Sequence, residues 1–481
     1  MNDTPPIESV SIDANANANA DAHPAGVFGS LYEKHKTIHI RSVKGWWTTW
    51  RWVLVCATQL LFYGLPWVEW HERQAVLLHL VERKFYFFGL ILWPQDVFYL
   101  TVLLIISAYS LFLFTAVGGR LFCGYACPQT VYTEIFVWIE KLIEGDRPAR
   151  VKLDRVAMNG RKFALKLAKH TLWALLALWT GFTLVGYFTP VQELLAEAKT
   201  FRFGGWEIFW ILFYGGFTYL MAGFMREQVC KYMCPYARFQ SAMFDSDTLI
   251  MTYDAERGEP RGLRRKEADN SALGDCVDCS ICVQVCPTGI DIRKGLQYEC
   301  IGCGACIDAC DTVMDKLKLP RGLVCYTSEN ALAGKYGRSD LLSHIVRPRI
   351  IAYACILALI ITAAGWSLVT RVPLRADVVR DRGILSRPVE GNKIENLYIL
   401  NVMNMSETPR SFEVSVTGLE GIALATESRV NAKAAENREA LVKVRVPAGS
   451  ASTGAHQIFF DVVATDDPRI AVHEKTTFMM P

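Results

Sequence analysis

The stretch Cys276–Cys310, CVDCSICVQVCPTGIDIRKGLQYECIGCGACIDAC, holds eight of the chain's fifteen cysteines in two runs of one design. Cys276, Cys279, Cys282 and Cys286 follow C-x2-C-x2-C-x3-C-P. Cys300, Cys303, Cys306 and Cys310 repeat the spacing, with Asp311 in place of the proline. Two-residue gaps let three thiolates converge from one tight loop onto three corners of a cubane, while the fourth cysteine leaves on a helix and reaches the other cluster. The expected sets are Cys276, Cys279, Cys282 and Cys310 for one [4Fe–4S] cluster, and Cys300, Cys303, Cys306 and Cys286 for the second. Gly302 and Gly304 suit a loop whose backbone must approach a cluster and donate hydrogen bonds to sulfur. Zinc ribbons also use C-x2-C pairs, but zinc takes four ligands from two separated pairs, which the triplet-plus-one pattern does not offer.

Upstream lies an internal repeat. LFCGYACPQTVYTEIF (121–136) and QVCKYMCPYARFQSAMF (228–244) each place C-x3-C-P after an apolar segment, and Cys123 and Cys230 are 107 residues apart, as are Cys127 and Cys234. One reading has four small thiols packed at helix ends. The other has Cys123, Cys127, Cys230 and Cys234 converging on a third redox centre or a soft ion such as Cu(I). The duplication favours the second, although spacing does not identify the metal.

Five segments are apolar over roughly the 20 residues a membrane helix needs: near 47–67, 97–117, 170–189, 206–225 and 349–369, with Trp46, Trp47, Trp67, Trp206 and Trp366 near their ends. A shorter stretch, FYFFGLILW (85–93), is too brief to span and reads as interfacial or re-entrant. The first forty residues lack an apolar signal-peptide core, so insertion is expected from an internal helix and the tail is expected to be disordered. The 118–169 connection carries ten Lys and Arg, against three in 68–96 and two in 190–205. The bias toward positive charge on the inner side puts the N-terminus and both cysteine regions in the cytoplasm and the C-terminal region outside.

That C-terminal region contains no cysteine, and its runs NLYILNVMN, RSFEVSVTG, ALVKVRVPA, HQIFFDVVAT and TTFMM are separated by turn-rich stretches. Short strands at this spacing suggest an immunoglobulin-like β-sandwich. A net charge of +3 gives no reason to expect a nucleic-acid partner. No C-x-x-C-H, Walker motif or mid-span histidine occurs, which argues against c-type haem, nucleotide and transmembrane b-type haem. Met403 with Met405, and Met479 with Met480, read as core fillers rather than copper ligands. His71 and His79 read as surface residues. Cys56, Cys325 and Cys355 stand alone and look structural.

Together, CGYACPQT, CKYMCPYARFQ, the paired cysteine runs, five spans and a C-terminal β-domain closely resemble the FixG/CcoG family of cytochrome c oxidase accessory proteins, related to the NapH and NosR membrane ferredoxins. The resemblance implies a multidomain chain. Residues 1–46 form a cytoplasmic tail, 47–248 a membrane domain of four helices with both C-x3-C-P motifs, and 249–348 a bacterial-type 2[4Fe–4S] ferredoxin domain. Residues 349–371 form a fifth membrane helix and 372–481 a periplasmic Ig-like sandwich. It implies a bacterial inner-membrane oxidoreductase that reduces Cu(II) to Cu(I) for assembly of the cbb3-type oxidase. Its partners would be oxidase subunits or copper-delivery proteins and an unidentified cytoplasmic electron donor, with a homodimer left open. Two other roles stay open: a quinol-linked conduit to a periplasmic reductase, as in NapH-like proteins, and a mainly structural assembly scaffold.

Overall fold

Apolar runs bounded by glycine and proline fix most of the helices in the computed structural model. It describes residues 38–481 apart from 72, 265–271, 338–339, 341–343, 345 and 382–385; the expected disorder of the tail falls mostly outside these residues. Helix α1, Trp46–Gly64, leads into a three-stranded antiparallel sheet of β1 (Val76–His79), β2 (Lys84–Phe87) and β3 (Leu90–Leu92). The 85–93 stretch, expected to be too short to span and either interfacial or re-entrant, is a β-hairpin. Phe88, with a φ of 51°, and Gly89 break the apolar run in its middle, so it folds back on itself.

Helices α2 (Val97–Gly118), α3 (Leu121–Tyr125) and α4 (Pro128–Glu144) follow, then α5 (Gly160–Val185) and α6 (Gly205–Leu220). Helix α6 continues into a π-helical turn, Met221–Met225, and a second such turn, Val229–Met233, precedes α7 (Pro235–Met243). Strand β4 (Ile250–Tyr253), helix α8 (Ala305–Leu317) and strand β5 (Val324–Thr327) frame the cysteine-rich region, with β4 and β5 paired antiparallel. Helix α9, Pro348–Val369, joins this region to the C-terminal strands.

Among the described residues three helices are long and apolar enough to cross a membrane: Pro94–Gly118, Gly205–Met225 and Pro348–Val369. Side chains such as Leu103, Leu104, Phe209, Leu212 and Leu359 lie exposed on them, as expected where the solvent is hydrocarbon. The other two expected spans also fold as helices, α1 and α5. Helix α1 is diluted by Thr48, Thr49 and Arg51, and the first half of α5 carries Arg161, Lys162, Lys166 and Lys169. Helix α5 packs along α6, and α9 along α2.

The C-terminal strands are β6 (Leu374–Arg380), β7 (Lys393–Asn404), β8 (Arg410–Thr417), β9 (Arg429–Ala432), β10 (Asn437–Pro447), β11 (Gly454–Ala464) and β12 (Ala471–Met480). One sheet runs β10–β7–β6, extended by Arg387–Val389 and Ala423–Leu424, and the other runs β9–β8–β11–β12. Alternating residues of both sheets, including Tyr398, Leu400, Phe412, Val444, Phe460 and Phe478, form one apolar core. Met403 and Met405 are buried against Leu77, Tyr86, Ile91 and Trp93 of the small sheet, and Met480 lies in the sandwich core, so these methionines pack as expected. Where the sandwich meets the start of α2, the buried Asp96 carboxylate pairs with Arg371, and with Arg375 at 3.4 Å.

Candidate metal centre

Each C-x3-C-P motif starts a helix in the same way. Pro128 and Pro235 occupy the first turns of α4 and α7, where a missing N–H costs nothing and a fixed φ favours the helix. Cys127 and Cys234 therefore fall at the two N-cap positions with extended backbones. One turn earlier, Cys123 lies in α3 and Cys230 in a π-helical turn, a geometry concentrated at functional sites. Cys123 lies within electrostatic reach of Cys127 and Cys230, and Cys230 of Cys127 and Cys234, but no three of these thiols are gathered for one ion. The Cys123 thiol also donates to Gln240 Oε1 at 3.3 Å.

The two cysteine runs wind as matched loops. Gly302 and Gly304 have φ values of 67° and 73°; at the equivalent places in the first run, Asp278 and Ser280 have 50° and 54°. Both loops thus take left-handed turns at the same two steps, with glycine in one and strained residues in the other. Two cavities result. The first is lined by Cys276, Cys279, Cys282 and Cys310 with Tyr253, Val313, Met314 and Arg293. The second is lined by Cys286, Cys300, Cys303 and Cys306, with Cys282 touching it, among Met251, Ile290, Ile292 and Ile301. Four thiols around an apolar hollow suit a cubane. A single zinc ion would draw its sulfurs to about 3.8 Å from one another, given Zn–S of about 2.3 Å.

Most of the lining of both cavities is apolar or thiol, although Cys279 is exposed. Burial pushes Cys300 and Cys310 up to about 12 and Cys282 up to about 11, and it raises Cys303 and Cys306 as well. Cys123 rises to about 12 and Cys230 to about 11 for the same reason, with Cys127 adding to both. A thiolate is stable in such surroundings only when bound to a metal, so metal insertion must release protons.

The first motif sits directly on the second loop. A Cβ on Gly124 would meet Ile301 O at 2.9 Å and Cys303 Cα at 3.0 Å. Tyr125 donates its hydroxyl to the Cys303 carbonyl at 3.2 Å, and Cys123 and Cys230 pack against the cluster of Val285, Ile301, Cys303 and Ala305. Helix α8 is tied to α1 in turn: the Asp308 carboxylate accepts from Thr48 N at 2.8 Å, Thr48 Oγ1 at 2.8 Å and Trp47 N at 3.3 Å. Asp311, where a proline was expected, accepts from Gly322 N at 2.9 Å.

Sequence reading missed Asp308, Tyr125, Gln240 and Arg120. Arg120 is buried between the two motifs and donates to the Ala237 carbonyl. Burial lowers its pKa, and the thiols of Cys123 and Cys300 oppose that shift. Its position directly before LFCGYACP was the one available signal.

The fold and the paired thiol cavities define an iron–sulfur protein of the ferredoxin type, built on apolar helices and carrying an Ig-like domain. Residues 225–329 match the family described as "4Fe-4S dicluster domain", 100–145 "4Fe-4S binding domain", and 364–481 "IG-like fold at C-terminal of FixG". The chain is 34% identical over 428 residues to "Nitrogen fixation protein FixG" of Rhizobium meliloti, covering 82% of each chain. It is 38% identical over 407 residues to "Protein RdxB" of Cereibacter sphaeroides, covering 83% of this chain and 85% of that one. To "Ferredoxin-type protein NapH" of Haemophilus influenzae it is 26% identical over 197 residues, covering 40% and 57%. The chain belongs to the FixG family and is an iron–sulfur electron-transfer protein.

Proposed function

We propose that this chain is a membrane cupric reductase that supplies Cu(I) for assembly of a cbb3-type haem–copper oxidase. Contact between the first C-x3-C-P motif and the loop of Cys300 and Cys303, through Gly124 and Tyr125, carries this reading. Cys276, Cys279, Cys282 and Cys310 would hold one [4Fe–4S] cluster, and Cys286, Cys300, Cys303 and Cys306 the other. When bound, such clusters supply one-electron storage at potentials set by charge, hydrogen bonds and burial.

The remaining chemistry belongs to the chain. Largely apolar walls line both cavities, and Tyr125 fixes the second loop against the motif. Cys123, Cys127, Cys230 and Cys234, no three of which are gathered for one ion in this structure, would close in to bind the copper substrate. Soft thiolates favour Cu(I) over Cu(II), so binding there raises the ion's effective potential. One electron from a cytoplasmic one-electron donor converts Cu(II) to Cu(I), with no bond or proton to account for beyond the thiol protons displaced by metal. In this reading the chain has five spans, α1 and α5 joining the three most apolar helices. The cysteine centres then face the cytoplasm and the Ig-like domain the periplasm, where it docks the oxidase or a copper-delivery protein. The lysine and arginine bias of the 118–169 connection supports this orientation.

Cys123→Ser and Cys230→Ser test the assignment in anaerobic purified protein with a Cu(I)-specific chelator. Loss of Cu(I) formation with about eight iron atoms retained per chain, as two cubanes require, is the expected result. Undiminished copper reduction in both variants refutes the assignment.

A further inference from the structure

Arg120 stands where both C-x3-C-P motifs meet the second cysteine run. It is 6% exposed, donates to the carbonyl of Ala237, three residues past Cys234, and approaches the Cys300 carbonyl at 3.5 Å. Its guanidinium lies 5.8 Å from the centre of the Phe244 ring, and its Nε is buried without a partner. Among the described residues no carboxylate lies within ion-pair distance of it; the acidic groups facing it are the thiols of Cys123, Cys300 and Cys234 and the carboxylate of Glu299. A buried cation with no counter-charge is strongly destabilising, so this position calls for an anion.

Two other cations beside the cysteine runs are compensated. Arg51 pairs with Glu134 at 2.8 Å. Arg293, in the wall of the first cavity, pairs with Asp291 at 2.8 Å and also with Asp278, two carboxylates to one guanidinium. Charges around the first set therefore balance, with Asp275, Asp278 and Asp291 against Arg257, Arg264 and Arg293, whereas the second set lies beside an uncompensated positive charge.

We propose that Arg120 is the built-in counter-cation of the group held by Cys286, Cys300, Cys303 and Cys306, lifting its reduction potential above that of the first set so that an electron entering the chain comes to rest beside the C-x3-C-P thiols. The proposal rests on the electron-relay reading given above. A cubane on four thiolates gains negative charge when reduced, and a fixed cation in a buried site stabilises the more negative state more. The internal step moves one electron: the first set is oxidised by one, the second reduced by one, and no bond or proton changes place.

The test is an EPR-monitored titration of the full chain in detergent with dithionite as reductant, comparing wild type with Arg120→Gln and Arg120→Lys and measuring iron in each. Two midpoints are expected. Arg120→Gln lowers the higher one, by ~59 mV for each tenfold shift in the electron's partition, and leaves the lower one in place; Arg120→Lys preserves both. Cys300→Ser alters the higher-potential signal and Cys276→Ser the lower. Unmoved midpoints in an Arg120→Gln protein with wild-type iron overturn the proposal. If that variant loses iron, the serine variants decide: a higher-potential signal that responds to Cys276→Ser overturns it. Wild-type iron well below about eight atoms per chain counts instead against the relay reading itself.

Discussion

At Gly304 the left-handed backbone and the neighbouring ring leave no space for a side chain: a Cβ would meet the Trp47 ring at 2.6 Å, and φ is 73°. Trp47 cannot readily give way, because its ring is held edge-on by Trp46 at 4.9 Å and Tyr326 at 5.3 Å. Gly304→Ala adds backbone strain of about 1–2 kcal/mol to overpacking of about 1–3 kcal/mol. It is expected to cost the second set its metal, taking iron from about eight to about four atoms per chain; a full complement in a stable variant would contradict this. Asp308 acts over a longer range, supplying from α8 the N-terminal cap that α1 lacks within its own sequence. Asp308→Ala should cost about 1–2 kcal/mol, read as a lower midpoint of thermal unfolding with iron content unchanged. The cysteine ligands were legible because their spacing is local. Asp308 and Arg120 were not, since their partners lie 260 and 180 residues away along the chain.

At the scale of elements, a buried ion cluster joins α4, the helix Arg147–Arg155, α5 and Arg226, which follows the first π-helical turn. Glu140 pairs with Arg150 at 2.8 Å, Lys169 at 3.3 Å and Arg226 at 3.2 Å. Burial alone would raise the Glu140 carboxyl, but Arg226, Lys169 and Arg150 overcome it and hold the pKa below its ordinary 4.5. Its contribution is therefore complete above pH 4.5 and is lost as pH falls through the depressed folded-state value. Glu140→Gln should destabilise the protein by about 3–5 kcal/mol at neutral pH and flatten the acid limb of its stability profile, as measured by denaturant unfolding across pH. An acid limb unchanged by the substitution would show that other carboxylates control it. Alternation made the sandwich strands readable from sequence, whereas the helices that start at Pro128 and Pro235 were not read. The strands of the 85–93 hairpin were not legible because a nine-residue apolar run fits a buried strand and a helix segment equally well.

For the molecule as a whole, the account places the cysteine centres and the Ig-like domain on opposite membrane faces. That domain has no cysteine of its own, so a Glu420→Cys variant at its surface should react with a membrane-impermeant maleimide in intact spheroplasts; labelling only after lysis would reverse the orientation. The Asp96 pairs with Arg371 and Arg375 fix the sandwich to the start of α2, so motion of that domain should be small while the pairs persist. The relay reading requires that electrons stored on the two cysteine sets reach copper. Stopped-flow mixing of the dithionite-reduced, desalted protein with Cu(II) and a Cu(I)-specific chelator measures this directly. The account predicts that bleaching recovers as both sets are oxidised, with one Cu(I) formed per electron lost. Fully reduced protein that keeps its electrons in the presence of Cu(II) would contradict it.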